Sequence, residues 1–264
     1  MTRTKTYELT GYITNLGKYV EGYLIGKYIS FPITKAELST ALEEIGINDT
    51  YEEWFFTDYD GEYPTQVYDM LGEYTSIKEL NKIALALERV SDEGVTDLFE
   101  AFLDNGKEFY SACANAIEGN GWFISGDDYT DLATFIIDAC GGFAELSQDT
   151  IEEYLDVEAL GRDIRLEYCY YDDMPETAGE YWCGDENATD EEIGQAYINE
   201  CGYGAINNKD NYFDYARYGE AIYDEGEFVF TENGIVDCGD FDDSLGEEFK
   251  EELEEAYNER EEER

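Results

Sequence analysis

At 264 residues the chain carries 65 Asp and Glu, 16 Lys and Arg and no His, a formal net charge of −49. Such a surface repels phosphates, which argues against direct nucleic-acid binding; the missing His and the lack of any Cys-x-x-Cys pair argue against a zinc site. A hydrophobic fraction of 43% with 16% aromatics rules out the disordered acidic class, which is poor in aromatic residues.

No apolar run is long enough for a membrane span, and the opening MTRTKTYELT has no apolar core of a secretion signal. The six cysteines (Cys113, Cys140, Cys169, Cys183, Cys201 and Cys238) read as reduced thiols, mostly packed as small apolar residues in a cytoplasmic protein. A compact globule of this length is about 47 Å across. The 49 net charges, set at the density of duplex DNA, need roughly 80 Å. That mismatch favours an elongated chain.

In chain order, residues 7–14 and 23–31 are aromatic and β-branched runs joined through Asn15-Leu16-Gly17 and Gly22, and they predict a strand pair. Thr34-Lys35-Ala36-Glu37 is a capping box that opens a helix with Leu38, Ala41, Leu42 and Ile45 on one face, ending at Gly46. Trp54-Phe55-Phe56 supplies a third strand. A second capping box, Ser76-Ile77-Lys78-Glu79, precedes a stripe of Ile77, Leu80, Ile83, Ala84, Leu87 and Val90. Leu98, Phe99, Phe102 and Leu103 give a further short helix before Gly106, and residues 109–117 another.

The remainder repeats. Phe135-Ile136-Ile137-Asp138-Ala139-Cys140-Gly141 aligns with Ala196-Tyr197-Ile198-Asn199-Glu200-Cys201-Gly202. Tyr154-Leu155-Asp156, Leu160-Gly161 and Ile164 align with Tyr212-Phe213-Asp214, Tyr218-Gly219 and Ile222, so the offset is 61 and then 58. In the acidic tail Leu245, Phe249, Leu253 and Tyr257 recur every four residues, which fits either a helix or a frayed segment. The expected fold class is α+β, an elongated multi-domain chain of small units. These are an N-terminal three-stranded sheet plus helix (1–75), a helical middle domain (76–120), two tandem α+β C-terminal repeats (121–181 and 182–243) and the tail (244–264).

Catalytic and metal constellations are weak. Asp58-Tyr59-Asp60-Gly61 places Gly at the fourth position of a would-be calcium loop, not the sixth. No G-x-S-x-G or phosphate-cradling G-x-x-x-x-G-K occurs. Among 65 acids a neighbouring carboxylate pair is unavoidable and carries no diagnostic weight. No catalytic residue, metal or cofactor is expected. Arg162 and Arg165, flanked by Glu158, Asp163 and Glu167, read as members of local salt bridges.

The acid is spaced rather than blocked. Glu52, Glu53, Asp58, Asp60, Glu62, Asp69 and Glu73 form one array. Asp127, Asp128, Asp131, then Asp172, Asp173, Glu176, Glu180, then Asp185, Glu186, Asp190, Glu191 and Glu192 form others. Interleaved Tyr and Trp would anchor the backbone so that carboxylates point outward at fixed positions, which is what imitation of a phosphate lattice requires.

The motif Tyr12-Ile13-Thr14-Asn15-Leu16-Gly17-Lys18-Tyr19-Val20-Glu21-Gly22, with Gly26 and Phe31-Pro32-Ile33, resembles the start of the ArdA antirestriction family. Residues 45–53, Asp58-Tyr59 and 73–81 continue the likeness. Asn211-Tyr212-Phe213-Asp214-Tyr215-Ala216-Arg217-Tyr218-Gly219 resembles its C-terminal signature, as do Gly161, Arg162 and Asp163 in the first copy. The resemblance implies a curved, elongated, three-domain protein similar in shape and charge to bent B-form DNA, acting in the cytoplasm of a bacterial host. It further implies a homodimer formed through the C-terminal region, and occupation of the DNA-binding groove of type I restriction–modification enzymes. The excess length is attributed to the duplicated third domain and the tail. A general acidic module that sequesters a basic, histone-like protein is the alternative; a halophile protein, acidic for solubility alone, and an enzyme are the others.

Overall fold

The computed structural model describes residues 5–169, 188–206 and 211–262. Its elements begin with β1 (Leu9–Asn15), α1 (Leu16–Val20), β2 (Gly26–Phe31), α2 (Lys35–Glu44), β3 (Trp54–Asp60), α3 (Ile77–Asp92), α4 (Thr96–Asp104) and α5 (Phe109–Glu118). They continue with β4 (Trp122–Ile124), α6 (Tyr129–Ala139), α7 (Gln148–Tyr154), α8 (Val157–Cys169), α9 (Asp190–Cys201), α10 (Tyr215–Glu225), β5 (Phe228–Thr231), β6 (Gly234–Asp237) and α11 (Leu245–Glu262). Short 3-10 turns lie at Thr65–Met70, Phe143–Glu145 and Tyr203–Ala205. The fold is α+β, with two small three-stranded sheets ordered β2-β1-β3 and β4-β6-β5. No helix among the described residues is long and apolar enough to cross a membrane.

Two compact units divide the chain: Met1–Phe123 with Phe228–Arg264, and Ile124–Glu227. In the first, β1 is the central strand and pairs antiparallel with both neighbours, Leu9 opposite Phe31 and Thr10 opposite Asp60. Leu9, Ile13, Phe31 and Phe56 point into a core that runs without a break into α3, α4 and α5. The expected boundary at residue 75 is therefore not a gap in the packing. Asn81, on α3, crosses it: its amide donates to the Ile33 carbonyl at 2.9 Å and accepts from the Ile33 N–H at 2.7 Å.

One expected strand begins late. Residues 23–31 read as a strand after a turn at 15–17, but Asn15 instead caps a helical turn by accepting from Lys18 N–H at 3.0 Å. Residues 21–25 carry the chain back, and pairing starts at Gly26, where any side chain would strike the Ile13 carbonyl and the Tyr12 ring. The two capping boxes also differ. At Thr34 both halves form, whereas at Ser76 only the hydroxyl caps and Glu79 turns to Lys82 and Tyr110.

The sequence reading runs the second repeat on to residue 243. In the structure the β5–β6 hairpin lies in the first unit, packed against α4. The tail is a helix, not a frayed segment: α11 packs on α5 and α3, with Leu253 fully buried and Phe249 nearly so. Arg89 reaches over the Phe249 ring, and three ion pairs (Lys78–Glu254, Arg89–Glu252 and Arg260–Glu88) tie its acidic face down.

The second unit is helical around its own core of Ile137, Phe143, Ile151, Leu155, Leu160, Ile164, Ile193, Ile198, Ile206 and Phe213. Here α8 packs on α9, and α6 on α10. Leu155 and Phe213 form an isolated antiparallel bridge between two loops. Cys113 and Cys238 are buried, as small apolar residues should be, but Cys140 and Cys201 lie exposed at the ends of α6 and α9.

Candidate functional site

The N-terminal acid array is built on pinned backbone. Glu53 gives its carbonyl to Leu16 N–H at 3.0 Å, Glu62 to Glu8 N–H at 3.2 Å, and Glu73 to Phe56 N–H at 2.9 Å. The side chains of Glu52, Glu53, Asp58, Asp60, Glu62, Asp69 and Glu73 are all exposed. On β3 the pleat sends Asp58 and Asp60 to one face, about 7 Å apart along the strand. Tyr59 between them packs on Phe56 and donates its hydroxyl to the Gly72 carbonyl at 2.8 Å. Burial pushes the Tyr59 phenol up to about 12. The Tyr28 hydroxyl donates to Asp58 at 2.7 Å, and that bond holds its phenol above the ordinary value. Tyrosines thus fix β3 around Asp58 and Asp60 while both carboxylates stay exposed.

The array in the second unit is less free. Asp127, Asp128 and Asp131 bring carboxylate oxygens within 4.8 Å of one another, close enough to meet a hard cation. Those oxygens already serve the helix: Asp128 accepts from Asp131 N–H at 2.9 Å and Asp131 from Asp127 N–H at 3.0 Å. Glu191 is exposed; Glu192, also exposed, closes a capping box with Thr189. Asp190 is half-buried and spends its charge on Arg165 at 2.6 Å and Arg162 at 3.9 Å. The local salt bridge expected of Arg165 is therefore made across to another helix, while Arg162 does keep a local partner, Glu158, at 3.6 Å. Asp172, Asp173, Glu176, Glu180, Asp185 and Glu186 lie outside the described residues. Of the acids named for the array that are described, Asp190 alone has a basic partner among the described residues.

Two features escaped the sequence reading. The end of α1 and the loop after it expose apolar side chains, Val20 at 79% and Leu24 at 64%, as well as Tyr19, Tyr23 and Ile25, and Tyr28 on β2 is exposed too. The other is a cleft of about 550 Å³ in the first unit with Asp97, Glu100, Asp104 and Glu232 in its lining, where Lys5 pairs with Glu100 at 2.6 Å. The glycines at 22 and 26 that bracket an apolar run were a signal for the loop. The cleft joins residues distant in sequence and left no signal.

The sequence matches the family described as antirestriction protein (ArdA) over residues 11–174, more than half of its length. The chain belongs to the ArdA family. A comparison with curated proteins found no match. ArdA membership makes this an antirestriction protein and, in broad terms, a protein that engages restriction–modification enzymes.

The ArdA-like signature residues fall on framework rather than on the acid array. Asn15 is wholly buried and donates to the carbonyls of Ile45 and Gly46 at 3.1 and 3.3 Å. Leu16 is half-buried, and Gly17 gives room to the Tyr51 ring. Lys18 lies over that ring at 4.1 Å and bonds both Tyr51 and Glu21. Lys18 first, then Tyr51, holds the Glu21 carboxyl below its usual range. Tyr19 packs edge-on against Phe55, and Gly22 takes a positive φ of 90° to end the turn. In the second unit Gly161 and Gly219 are buried in helix crossings, Asp163 accepts from the Tyr212 hydroxyl at 2.8 Å, and Tyr215 packs on Phe213.

Proposed function

We propose that the chain acts as a protein decoy for DNA, occupying the basic DNA-binding groove of a type I restriction–modification enzyme or a related defence complex. The observation that carries this reading is the N-terminal array: exposed carboxylates on hydrogen-bonded backbone, with no basic partner among the described residues. A groove that neutralises phosphates is lined with Lys and Arg. A fixed row of carboxylates offers those cations the same charge without flexible side chains having to find them. Because its geometry is set by folding, the decoy avoids the cost of bending a duplex. Opposite fields speed the encounter. No base edge is imitated, so enzymes of many sequence specificities are targets, and inhibition is competitive and stoichiometric. The second unit carries exposed carboxylates of its own, Asp127, Asp128, Glu191 and Glu192, which offer charge of the same kind.

Competition for a labelled duplex bound to a purified type I complex tests this. The protein should displace the duplex near one-to-one stoichiometry. Asp58→Asn with Asp60→Asn should weaken displacement by less than about tenfold, because the interaction is spread over many charges. A duplex still held at large excess of the protein counts against the reading, and complete loss of competition from that single pair indicates a localised site instead.

A further inference from the structure

The bridge between Leu155 and Phe213 joins residues 58 apart, the offset of the second half of the sequence repeat. Its hydrogen bonds are reciprocal. Asp156 N–H donates to the Tyr212 carbonyl at 2.7 Å, and Asp214 N–H donates to the Tyr154 carbonyl at 2.9 Å. Each of these residues therefore bonds the residue two positions from its own counterpart. Two copies related by a two-fold axis make contacts of this kind: i touches j, and j touches i.

The helices obey the same relation. Asp128 caps α6 and Thr189 caps α9, 61 residues apart; both helices end in Cys-Gly. Asp156 caps α8 through Ala159 N–H at 2.8 Å, and Asp214 caps α10 through Arg217 N–H at 3.0 Å, with donors and acceptors both 58 apart. Gly161 of α8 lies so close to the Asp190 carbonyl of α9 that a Cβ has no room. Gly219 of α10 lies in the same way against the Tyr129 carbonyl of α6. The shifts of 58 and 61 map one crossing onto the other. The first helix of each copy is thus packed by the second helix of the other.

We infer that Ile124–Glu227 is an internal dimer: two copies of one helical element that exchange their second helices within a single chain, so that the surface made to receive a second copy is already filled in cis. The two crossings match in geometry and differ in chemistry, which fixes the pairing. At α8–α9, Arg165 bonds the Asp190 carboxylate and the Ala188 carbonyl. At α6–α10 the equivalent positions are Tyr223 and Tyr129, whose rings meet edge-on at 5.5 Å. Placing α10 on α9 would set Glu220 and Tyr223 beside Asp190, and placing α8 on α6 would leave Arg165 without its carboxylate, so the wrong pairings are penalised. Exchange between chains would also bring a second charge of −49 to the contact, a cost that closure in cis avoids.

The bridge provides the test. Leu155 and Phe213 are a non-hydrogen-bonded antiparallel pair, with Cα atoms about 4.5 Å apart, within reach of a disulfide. In full-length protein with Cys140, Cys169, Cys183 and Cys201 replaced by Ser, Leu155→Cys with Phe213→Cys should oxidise to an intrachain disulfide that runs as one chain on a non-reducing gel. A disulfide-linked dimer, or thiols left free in the folded protein, overturns the proposal. Because both side chains are buried, the unsubstituted chain is measured in parallel. Light scattering should return the 30.2 kDa of a single chain, and two differently tagged copies co-expressed should not co-purify; a mixed dimer overturns cis closure. In the cysteine pair, Arg165→Glu should lower the disulfide yield several-fold and adding Asp190→Arg should restore it. Equal yields in all these variants would overturn the matching of the crossings by charge.

Discussion

Three asparagines without exposed surface, Asn15, Asn81 and Asn115, act as splices between backbone segments. Asn115 illustrates the chemistry. Its amide group donates to the carbonyls of Ser111 and Asp242, both at 2.8 Å, and its oxygen accepts from the Asp242 N–H at 2.8 Å and from the Asn120 amide at 3.0 Å. An asparagine side chain copies the peptide group, so it can pair both backbone groups of a residue that has no strand or helix to join. Asn115→Ala leaves the Asp242 N–H and carbonyl without these partners in a partly buried position. It should cost roughly 2–3 kcal/mol in chemical denaturation, the price of unsatisfied backbone groups. A loss under about 0.5 kcal/mol would mean that water replaces the amide without penalty. None of the three positions was legible beforehand, because Asn in sequence signals a turn and the partners of Asn81 and Asn115 are 48 and 127 residues away.

At the scale of elements, α11 shows how an acidic segment becomes a helix of the fold. Its apolar positions 245, 249, 253 and 257 form one stripe, and that stripe completes the core left open by α3 and α5. Leu253→Ala should destabilise the first unit by about 2–4 kcal/mol, the usual cost of emptying a full leucine site, whereas Glu251→Ala on the exposed face should stay within about 0.5 kcal/mol. Equal effects of the two, read by thermal or denaturant unfolding, would mean that the helix adheres through charge alone. The helices with apolar stripes and capping boxes, α2 and α3, were legible in sequence because a 3.6-residue period leaves a mark, whereas the stripe of α11 left a helix and a frayed segment both open. The start of β2 was not, since Tyr23-Leu24-Ile25 has strand composition but is exposed. For the candidate surface, the spacing of the acids was legible and their employment was not: Asp128 and Asp131 cap, Glu192 closes a box, and Asp190 pairs with Arg165.

For the whole molecule one quantity, the charge of −49, enters folding and partner binding with opposite sign. Raising salt from about 10 mM to about 1 M shortens the screening length from about 30 Å to about 3 Å. Self-repulsion among unpaired carboxylates opposes the compact state and is relieved by that change. The ion pairs of the fold are largely exposed, worth roughly 0.2–1 kcal/mol each at low salt, and too few to balance the excess acid. The midpoint of thermal unfolding should therefore rise with salt, by about 2–4 °C for every 1 kcal/mol of repulsion removed from a chain of this size. Binding to a basic groove runs the other way, because added ions compete with the carboxylates for the same cations. Calorimetry and competition binding over one salt series should give a stability that climbs while affinity falls. A chain acidic for solubility alone would show the first slope without the second. An affinity that holds steady as salt rises would mean that the exposed carboxylates are not what the partner reads.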